Sequence, residues 1–174
     1  HDPNSIRRTD RAYNTGVFPS GQRPLVSVVT PSLNKARFLR ATIESVLSQD
    51  YPRVEYLVMD GGSTDGSLEI LAGYGDRLRY VAQPDAGQAD AVNRGFQLTS
   101  GEIFTFLNAD DTFRPGAIAA AARAFAEHPD VGMIYGDADH IDAEGAVLGR
   151  YPVRDFESGG LGVECFICQP AAFL

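Results

Sequence analysis

The sequence predicts an α/β fold with a mostly parallel sheet flanked by helices. Short apolar runs rich in β-branched residues alternate with amphipathic segments of about a dozen residues, a pattern typical of consecutive βαβ units. The polar motifs of the chain follow directly after these apolar runs. With 174 residues, the chain is long enough for one domain with its own core.

Five apolar runs predict strands, and four amphipathic segments between them predict helices. The strands are LVSVVT (25–30), VEYLVM (54–59), LRYVA (78–82), EIFTFL (102–107) and VGMIYG (131–136). The first helix is indicated by Phe38, Leu39, Ile43, Val46 and Leu47, which share one face. The others are predicted over 66–74, 88–98 and 115–128, the last with Pro115 at its first position.

The ends of the chain have a different texture. Residues 1–24 are polar and aperiodic, so we expect an extended arm there and a domain over 25–174. HIDAEGAVLGRY predicts a small β-hairpin near the C-terminal end, turning at 142–145. Cys165 and Cys168 fall in an apolar segment expected to be a strand, and we expect buried free thiols.

Charge and hydropathy narrow the possible partners. The chain has 15 basic and 23 acidic residues, a formal charge of −8, which disfavours non-specific binding to nucleic acid or anionic membranes. No apolar run is long enough to predict a membrane span. A polyanionic ligand would therefore need local help from a metal ion or from backbone N–H groups.

The polar motifs are predicted to converge on one cleft. TPSLN, DGGSTDGS, QPDAGQAD and NADD follow the first four strands, and ligands of parallel sheets bind beyond the carboxyl ends of the strands. The glycines of 61–66 lack the spacing of a dinucleotide fingerprint, and the sequence contains no P-loop motif. A nicotinamide enzyme and a P-loop ATPase are therefore disfavoured.

Asp110 and Asp111 are adjacent carboxylates at the end of a predicted strand. Like charges so placed repel each other and are costly to desolvate. A bound cation would offset that cost. A solvated turn in which Arg114 partly neutralises the pair would also do so, and both interpretations stay open on these residues alone.

Together, the motifs resemble those of the family 2 glycosyltransferases, whose catalytic domain has the GT-A fold, a Rossmann-like sheet. The matching segments are VSVVTPSLNKARFLRATIESVLSQDYPRVEYLVMDGGSTDGS, PDAGQADAVNRGF and GEIFTFLNADD. The resemblance implies an enzyme of polysaccharide biosynthesis that moves a sugar, with inversion, from a UDP- or GDP-sugar to a glycan or lipid-linked acceptor. It also implies a cytoplasmic location, including the inner face of the membrane.

The resemblance implies a divalent cation as well. Asp110 and Asp111 are similar to the DXD-type metal motif of the family, where Mn²⁺ or Mg²⁺ neutralises the leaving diphosphate. We expect Asp111 to coordinate the metal and Asp110 to contact the ribose or a metal-bound water. Asn108 would support the loop.

The nucleoside pocket that the resemblance implies is formed by Thr30, Pro31, Asn34 and Asp60. A helix-start turn with residues 63–65 is the competing interpretation of Asp60. Many members of the family carry two consecutive acids before Gly-Ser, and the second often reads the base. This chain has Gly61 at that place, so other residues must recognise the base.

The third motif adds candidates for the donor site. Asp90, Asn93 and Arg94 fall at i, i+3 and i+4 and can share a helix face. We place Asp90 and Arg94 in the nucleotide-sugar site, with Arg94 on a phosphate or a base edge. An ion pair with Asp90 on a solvated face is the alternative for Arg94. Asp85 and Gln88 are expected to cap the helix.

An inverting transfer needs a base that takes the proton of the acceptor hydroxyl. The family supplies it after a segment similar to CQPAAFL. Because the chain stops in that apolar stretch, we expect both the base and the acceptor-side portion beyond Leu174. Asp137 and Glu164 are less favoured candidates. In the family, Asp137, Asp139 and His140 would face the sugar and the acceptor, although a plain hairpin explains the last two.

Two functions of other classes stay open. A sugar nucleotidyltransferase would want a glycine-rich phosphate loop after the first strand, where TPSLNKAR has no glycine. A non-catalytic module that binds nucleotide or a partner protein is the other alternative, because no base is identified.

Overall fold

The computed structural model describes residues 6–8, 23–156 and 165–174. Its helices are α1 (Ala36–Leu47), α2 (Ser67–Ala72), α3 (Gln88–Gln97) and α4 (Ala117–Glu127). Its strands are β1 (Ile6–Arg8), β2 (Val26–Ser32), β3 (Val54–Asp60), β4 (Arg79–Ala82), β5 (Ile103–Phe106), β6 (Ile134–Gly136), β7 (Asp139–Ile141), β8 (Val147–Arg150) and β9 (Ala172–Phe173).

A four-stranded parallel sheet in the order β4-β3-β2-β5 forms the centre of the fold. All seven residues of β2 are buried, as expected for a central parallel strand covered on both faces. This sheet with its flanking helices confirms the predicted α/β architecture. The carboxyl ends of β2 to β5 lie along one edge, where the four polar motifs follow.

Two apolar layers cover the sheet. On one face, Val26, Val28 and Val58 pack with Leu39 and Ile43 of α1 in a core that also includes α4. On the other face, α3 packs closely through Gly95, where a Cβ would lie 2.5 Å from Cγ1 of Val29. A larger residue there would push α3 away from the sheet and displace the third polar motif with it.

A second, antiparallel sheet has the order β1-β6-β9. The C-terminal segment also contacts the parallel sheet, because Phe104 and Leu174 exchange two backbone hydrogen bonds of 2.9 Å. The Thr105 hydroxyl donates to the Ala172 carbonyl at 2.8 Å. These bonds hold the short 3₁₀ helix Gln169–Ala171 beside the carboxyl end of β5.

The predicted hairpin is confirmed. Strands β7 and β8 pair antiparallel, and the Asp142 carboxylate accepts hydrogen bonds from the N–H groups of Glu144 and Ala146 in the turn. The run 131–136 is shorter than predicted: only Ile134–Gly136 is a strand, and it belongs to the antiparallel sheet.

Three other local predictions need correction. Pro115 lies before α4, because Gly116 caps the helix in a left-handed conformation (φ 79°) and the helix begins at Ala117. The cysteines are free, but Cys165 is exposed and Cys168 only half-buried. Residues 165–168 form no strand, since the segment ends in the 3₁₀ helix.

The predicted arm over 1–24 falls mostly outside the described residues. Within it, Ile6–Arg8 forms β1 and pairs antiparallel with β6. No helix in the described parts of the chain is long and apolar enough to cross a membrane. Glu164 also lies outside the described residues.

Candidate functional site

Hydrogen bonds tie the first two polar loops together at the edge of the sheet. Asn34, in a left-handed conformation (φ 54°), accepts from Thr64 N–H through Oδ1 at 2.9 Å. Its own N–H donates to Ser63 Oγ at 2.8 Å. Asp65 accepts from the N–H of Ala36 at 2.9 Å, so it caps α1. The first loop is therefore fixed by the second.

Asp60 is built into its own loop. The residue is 1% exposed. Its Oδ1 accepts from the N–H groups of Gly62 and Ser63 at 3.0 and 2.8 Å, and its Oδ2 accepts from the Ser63 hydroxyl at 2.6 Å. The structure therefore shows the turn that the sequence left as the competing interpretation.

Thr30 and Pro31 are both buried in β2. The Thr30 hydroxyl is paired with the Tyr56 hydroxyl at 3.1 Å inside the core, so this side chain is committed to packing. The next residue on the same face, Ser32, is 4% exposed, and its hydroxyl has no hydrogen-bond partner among the described residues. Buried polar atoms of this kind are uncommon and often mark sites that a ligand completes.

Asp90 and Arg94 lie one turn apart in α3, after the loop that follows β4. Asp90 Oδ2 accepts from the Ala86 N–H at 3.1 Å and from Arg94 Nη1 at 3.4 Å. Arg94 Nη1 also donates to the Pro84 carbonyl at 3.3 Å. The alternative of an ion pair between the two residues is therefore realised. Asp90 also fixes the loop before α3 through its bond from the Ala86 N–H.

Asn108 organises the fourth loop through both ends of its amide. Its Nδ2 donates to Asp111 Oδ2 at 3.1 Å and to Gln169 Oε1 at 3.0 Å, and its Oδ1 accepts from Gln88. Gln169 Nε2 in turn donates to the Phe106 carbonyl at the end of β5, at 2.5 Å. These side-chain amides link Asp111 to the start of α3 on one side and to the C-terminal segment on the other.

The two adjacent carboxylates have different surroundings. Asp110 forms an ion pair with Lys35 Nζ at 2.5 Å, in which the side chains are 40% and 39% exposed. Asp111 is half-buried. Burial raises its pKa above the ordinary value, the hydrogen bond from Asn108 opposes that shift, and the charge of Asp110 adds to it. Arg114 does not neutralise this pair, because it forms its ion pair with Asp139 instead.

The carboxylate pair fits a divalent cation that takes its remaining ligands from a substrate. Among the described residues, no group of three or more His, Cys, Asp or Glu side chains could hold a metal. Mg²⁺ and similar ions commonly bind one or two carboxylates and take their other ligands from water and phosphate oxygens. A cation at Asp110 and Asp111 would also relieve the cost of burying Asp111 next to a like charge.

The fourth loop borders a cleft of about 1190 Å³. The hairpin and the segment after β6 also line it, with Asp137, Asp139 and His140. Cys168 also lines the cleft, where burial and then the charge of Asp111 raise the pKa of its thiol to about 11. This thiol is therefore uncharged at neutral pH. Asp110, Asp111 and Asp137 lie on the same cleft.

Three residues of this site were not singled out by sequence reasoning. Lys35 follows Asn34 in the first motif and could have been suspected from its position beside a predicted anion site. Gln169 and Ser32 carried no comparable signal. Their roles depend on contacts between segments that are distant in the sequence: Gln169 lies 61 residues from its partner Asn108.

Known proteins resemble this chain in sequence and in fold. The profile of the family described as Glycosyl transferase family 2 matches residues 27–158. An uncharacterized glycosyltransferase of Rickettsia felis is 36% identical over 74% of this chain and 22% of its own length. The O-antigen biosynthesis protein RfbC of Myxococcus xanthus is 38% identical over 77% of this chain. A PGL/p-HBAD biosynthesis glycosyltransferase of Mycobacterium bovis is 36% identical over 66%.

The chain is shorter than these relatives, spanning 11% of the M. xanthus protein and 46% of the M. bovis protein. Two solved structures share its fold. TarS of S. aureus in complex with UDP-GlcNAc is 25% identical, with a TM-score of 0.55 over 60% of this chain and 32% of that chain. The mannosyltransferase PcManGT of Pyrobaculum calidifontis, in complex with GDP-Man and Mn²⁺, is 29% identical, with a TM-score of 0.55 over 64% and 35%. The motifs, the GT-A fold and the profile match agree: this chain belongs to glycosyl transferase family 2.

Proposed function

We propose that this domain binds a UDP- or GDP-sugar with Mn²⁺ or Mg²⁺ and transfers the sugar, with inversion, to a glycan or lipid-linked acceptor. The proposal rests chiefly on the arrangement of side chains in the loop after β5. There Asp111, with its raised pKa, is held by amides beside the Asp110–Lys35 pair on a large cleft. The nucleotide sugars bound by TarS and PcManGT support the donor class.

Asp110 and Asp111 would hold the cation, which when bound supplies positive charge next to the diphosphate of the donor. Lys35 adds a second positive charge at the same place, since it already lies against Asp110. Asn108, fixed by Gln88 and Gln169, keeps the Asp111 carboxylate oriented toward the cleft. Orientation of this kind by outer partners strengthens metal binding.

The nucleoside would lie against the first two loops. In this proposal Asp60 and Asn34 act by fixing the loops, because their side chains are used in loop hydrogen bonds. Thr30 and Pro31 form the buried floor beneath them. Arg94 binds a phosphate or a base edge, and it can exchange its 3.4 Å pair with Asp90 for hydrogen bonds to the ligand.

An inverting transfer also needs a base that takes the proton of the acceptor hydroxyl. Within the described residues, Asp137 is the candidate, since it lines the cleft with Asp110 and Asp111. Membership of a glycosyltransferase family disfavours the nucleotidyltransferase alternative. A cytoplasmic location stays a prediction from the resemblance.

Calorimetric titration of UDP and GDP into the chain, with Mn²⁺ and then with EDTA, tests the donor site. We expect one of the nucleotides to bind with Mn²⁺, and to bind at least tenfold more weakly with EDTA or in Asp111→Ala. Asp76→Ala, an exposed carboxylate outside the cleft, is the matched control. Binding that is unaffected by EDTA and by Asp111→Ala would contradict the metal site.

A further inference from the structure

Gly61 leaves a space at the end of β3 that another residue fills. A Cβ placed on Gly61 would lie 2.7 Å from Oδ2 and 3.2 Å from Cγ of Asp85, so the Asp85 carboxylate lies directly against this backbone. Asp85 follows β4, the neighbour of β3 in the sheet. The acidic group that the sequence lacks at position 61 therefore arrives from the next loop.

The surroundings hold this carboxylate in place and leave part of it available. Asp85 Oδ1 accepts from the Gly87 N–H at 2.8 Å, which turns the chain before α3. Oδ2 is the atom nearest to Gly61. The Gly61 N–H donates to the Ser32 carbonyl at 2.8 Å, so the buried Ser32 hydroxyl, unpartnered among the described residues, lies on the adjacent strand end.

We propose that Asp85 recognises the nucleotide base, since its carboxylate lies where a side chain at position 61 would be. A carboxylate accepts hydrogen bonds and donates none, so it selects a base edge that presents N–H groups. Uracil offers its N3–H, and guanine offers N1–H with its amino group. Adenine and cytosine present an unprotonated ring nitrogen at the corresponding position, which the carboxylate repels. The inference rests on the proposed function, since it concerns the same nucleotide site.

Two variants alter this contact in different ways. Asp85→Ser removes the carboxylate but keeps a short side chain whose hydroxyl oxygen can accept from the Gly87 N–H. Gly61→Ala is sterically possible only if the Asp85 side chain, which is flexible, moves away. Gly61→Asp combined with Asp85→Ser returns an acid to the first position. Asp76→Ala serves again as the control for a lost surface charge.

The measurement is the ratio of the affinities of UDP, GDP, ADP and CDP, each with Mn²⁺. In the unchanged chain we expect UDP or GDP to bind about ten- to a hundredfold more tightly than ADP and CDP. Asp85→Ser and Gly61→Ala should bring this ratio close to one, and the double variant should restore it. A purely structural loss of the loop would weaken all four nucleotides equally and leave the ratio unchanged.

The outcomes separate this inference from the proposed function. Metal-dependent binding with no base preference, or with a preference that both variants preserve, overturns the role of Asp85 and leaves the proposed function intact. Failure of the unchanged, folded chain to bind any of the four nucleotides overturns the proposed function and this role together.

Discussion

The carboxylates of the two acidic loops at the edge of the sheet have opposite environments. In the loop after β3, Asp60 accepts two backbone N–H groups, and hydrogen bonds from Ser67 and then Ala36 lower the pKa of Asp65. In the loop after β5, burial raises the pKa of Asp111. A carboxylate that accepts several hydrogen bonds from nearby residues fixes the shape of the site. A carboxylate whose charge is disfavoured by burial is available to bind a ligand.

The largest effect on stability should come from Asp60→Ala. This change leaves the N–H groups of Gly62 and of the buried Ser63, together with the Ser63 hydroxyl, without their acceptor. We expect the free energy of unfolding to fall by about 3 kcal/mol in urea denaturation. Asp76→Ala should change it little. An equally small effect of Asp60→Ala would mean that the loop after β3 is not held by its carboxylate.

Gln169→Ala should have an intermediate effect. It removes the donor to the Phe106 carbonyl and the acceptor for Asn108 Nδ2. We expect a loss of about 1–2 kcal/mol in stability and about tenfold weaker metal-dependent nucleotide binding. Gln97→Ala, at the exposed end of α3, is the matched control for both measurements. Unchanged binding in Gln169→Ala would show that the C-terminal segment does not support the loop after β5.

Asp111→Asn should act in the opposite direction and raise the thermal midpoint at neutral pH. The raised pKa means that the folded state holds this proton more tightly, so the carboxylate destabilises the fold as pH rises above its ordinary value of 3.8. The gain should shrink as the pH approaches about 4 and the wild-type group becomes protonated.

Asp110→Asn is the control for this experiment, since it removes the neighbouring charge together with the ion pair to Lys35. It should not raise the midpoint to the same extent. If Asp111→Asn lowers the midpoint at neutral pH, Asp111 is a loop-shaping acid like Asp60, and the contrast between the loops fails.

Lys35→Ala should have the smallest effect on stability, below about 0.5 kcal/mol, because its ion pair is exposed. With Asp110 released, we expect Mn²⁺ without nucleotide to bind about two- to threefold more tightly by calorimetry. Arg37→Ala, which removes the exposed pair with Glu144, should leave Mn²⁺ binding unchanged. Weaker Mn²⁺ binding in Lys35→Ala would place this side chain among the groups that support the metal.

Much of the fold could be predicted from local patterns. Strands β2 to β5 and the four helices lie within a few residues of their predicted positions, because apolar periodicity indicates which face of an element is buried. The start of α4 was misplaced because the left-handed conformation of Gly116 separates Pro115 from the helix. Residues 131–133 were included in a strand because an apolar run does not reveal where pairing begins.

The parallel sheet, the edge at which its motifs converge and the acidic pair after β5 follow from local patterns of residue type. The folded structure was needed to show which acids already accept hydrogen bonds within the chain. Asp60 and Asp90 accept hydrogen bonds from residues two to four positions away, whereas burial raises the pKa of Asp111. The folded structure also placed Asp85 against Gly61 and Gln169 against Asn108. Such contacts depend on the packing of distant segments, which the local pattern of residue types does not encode.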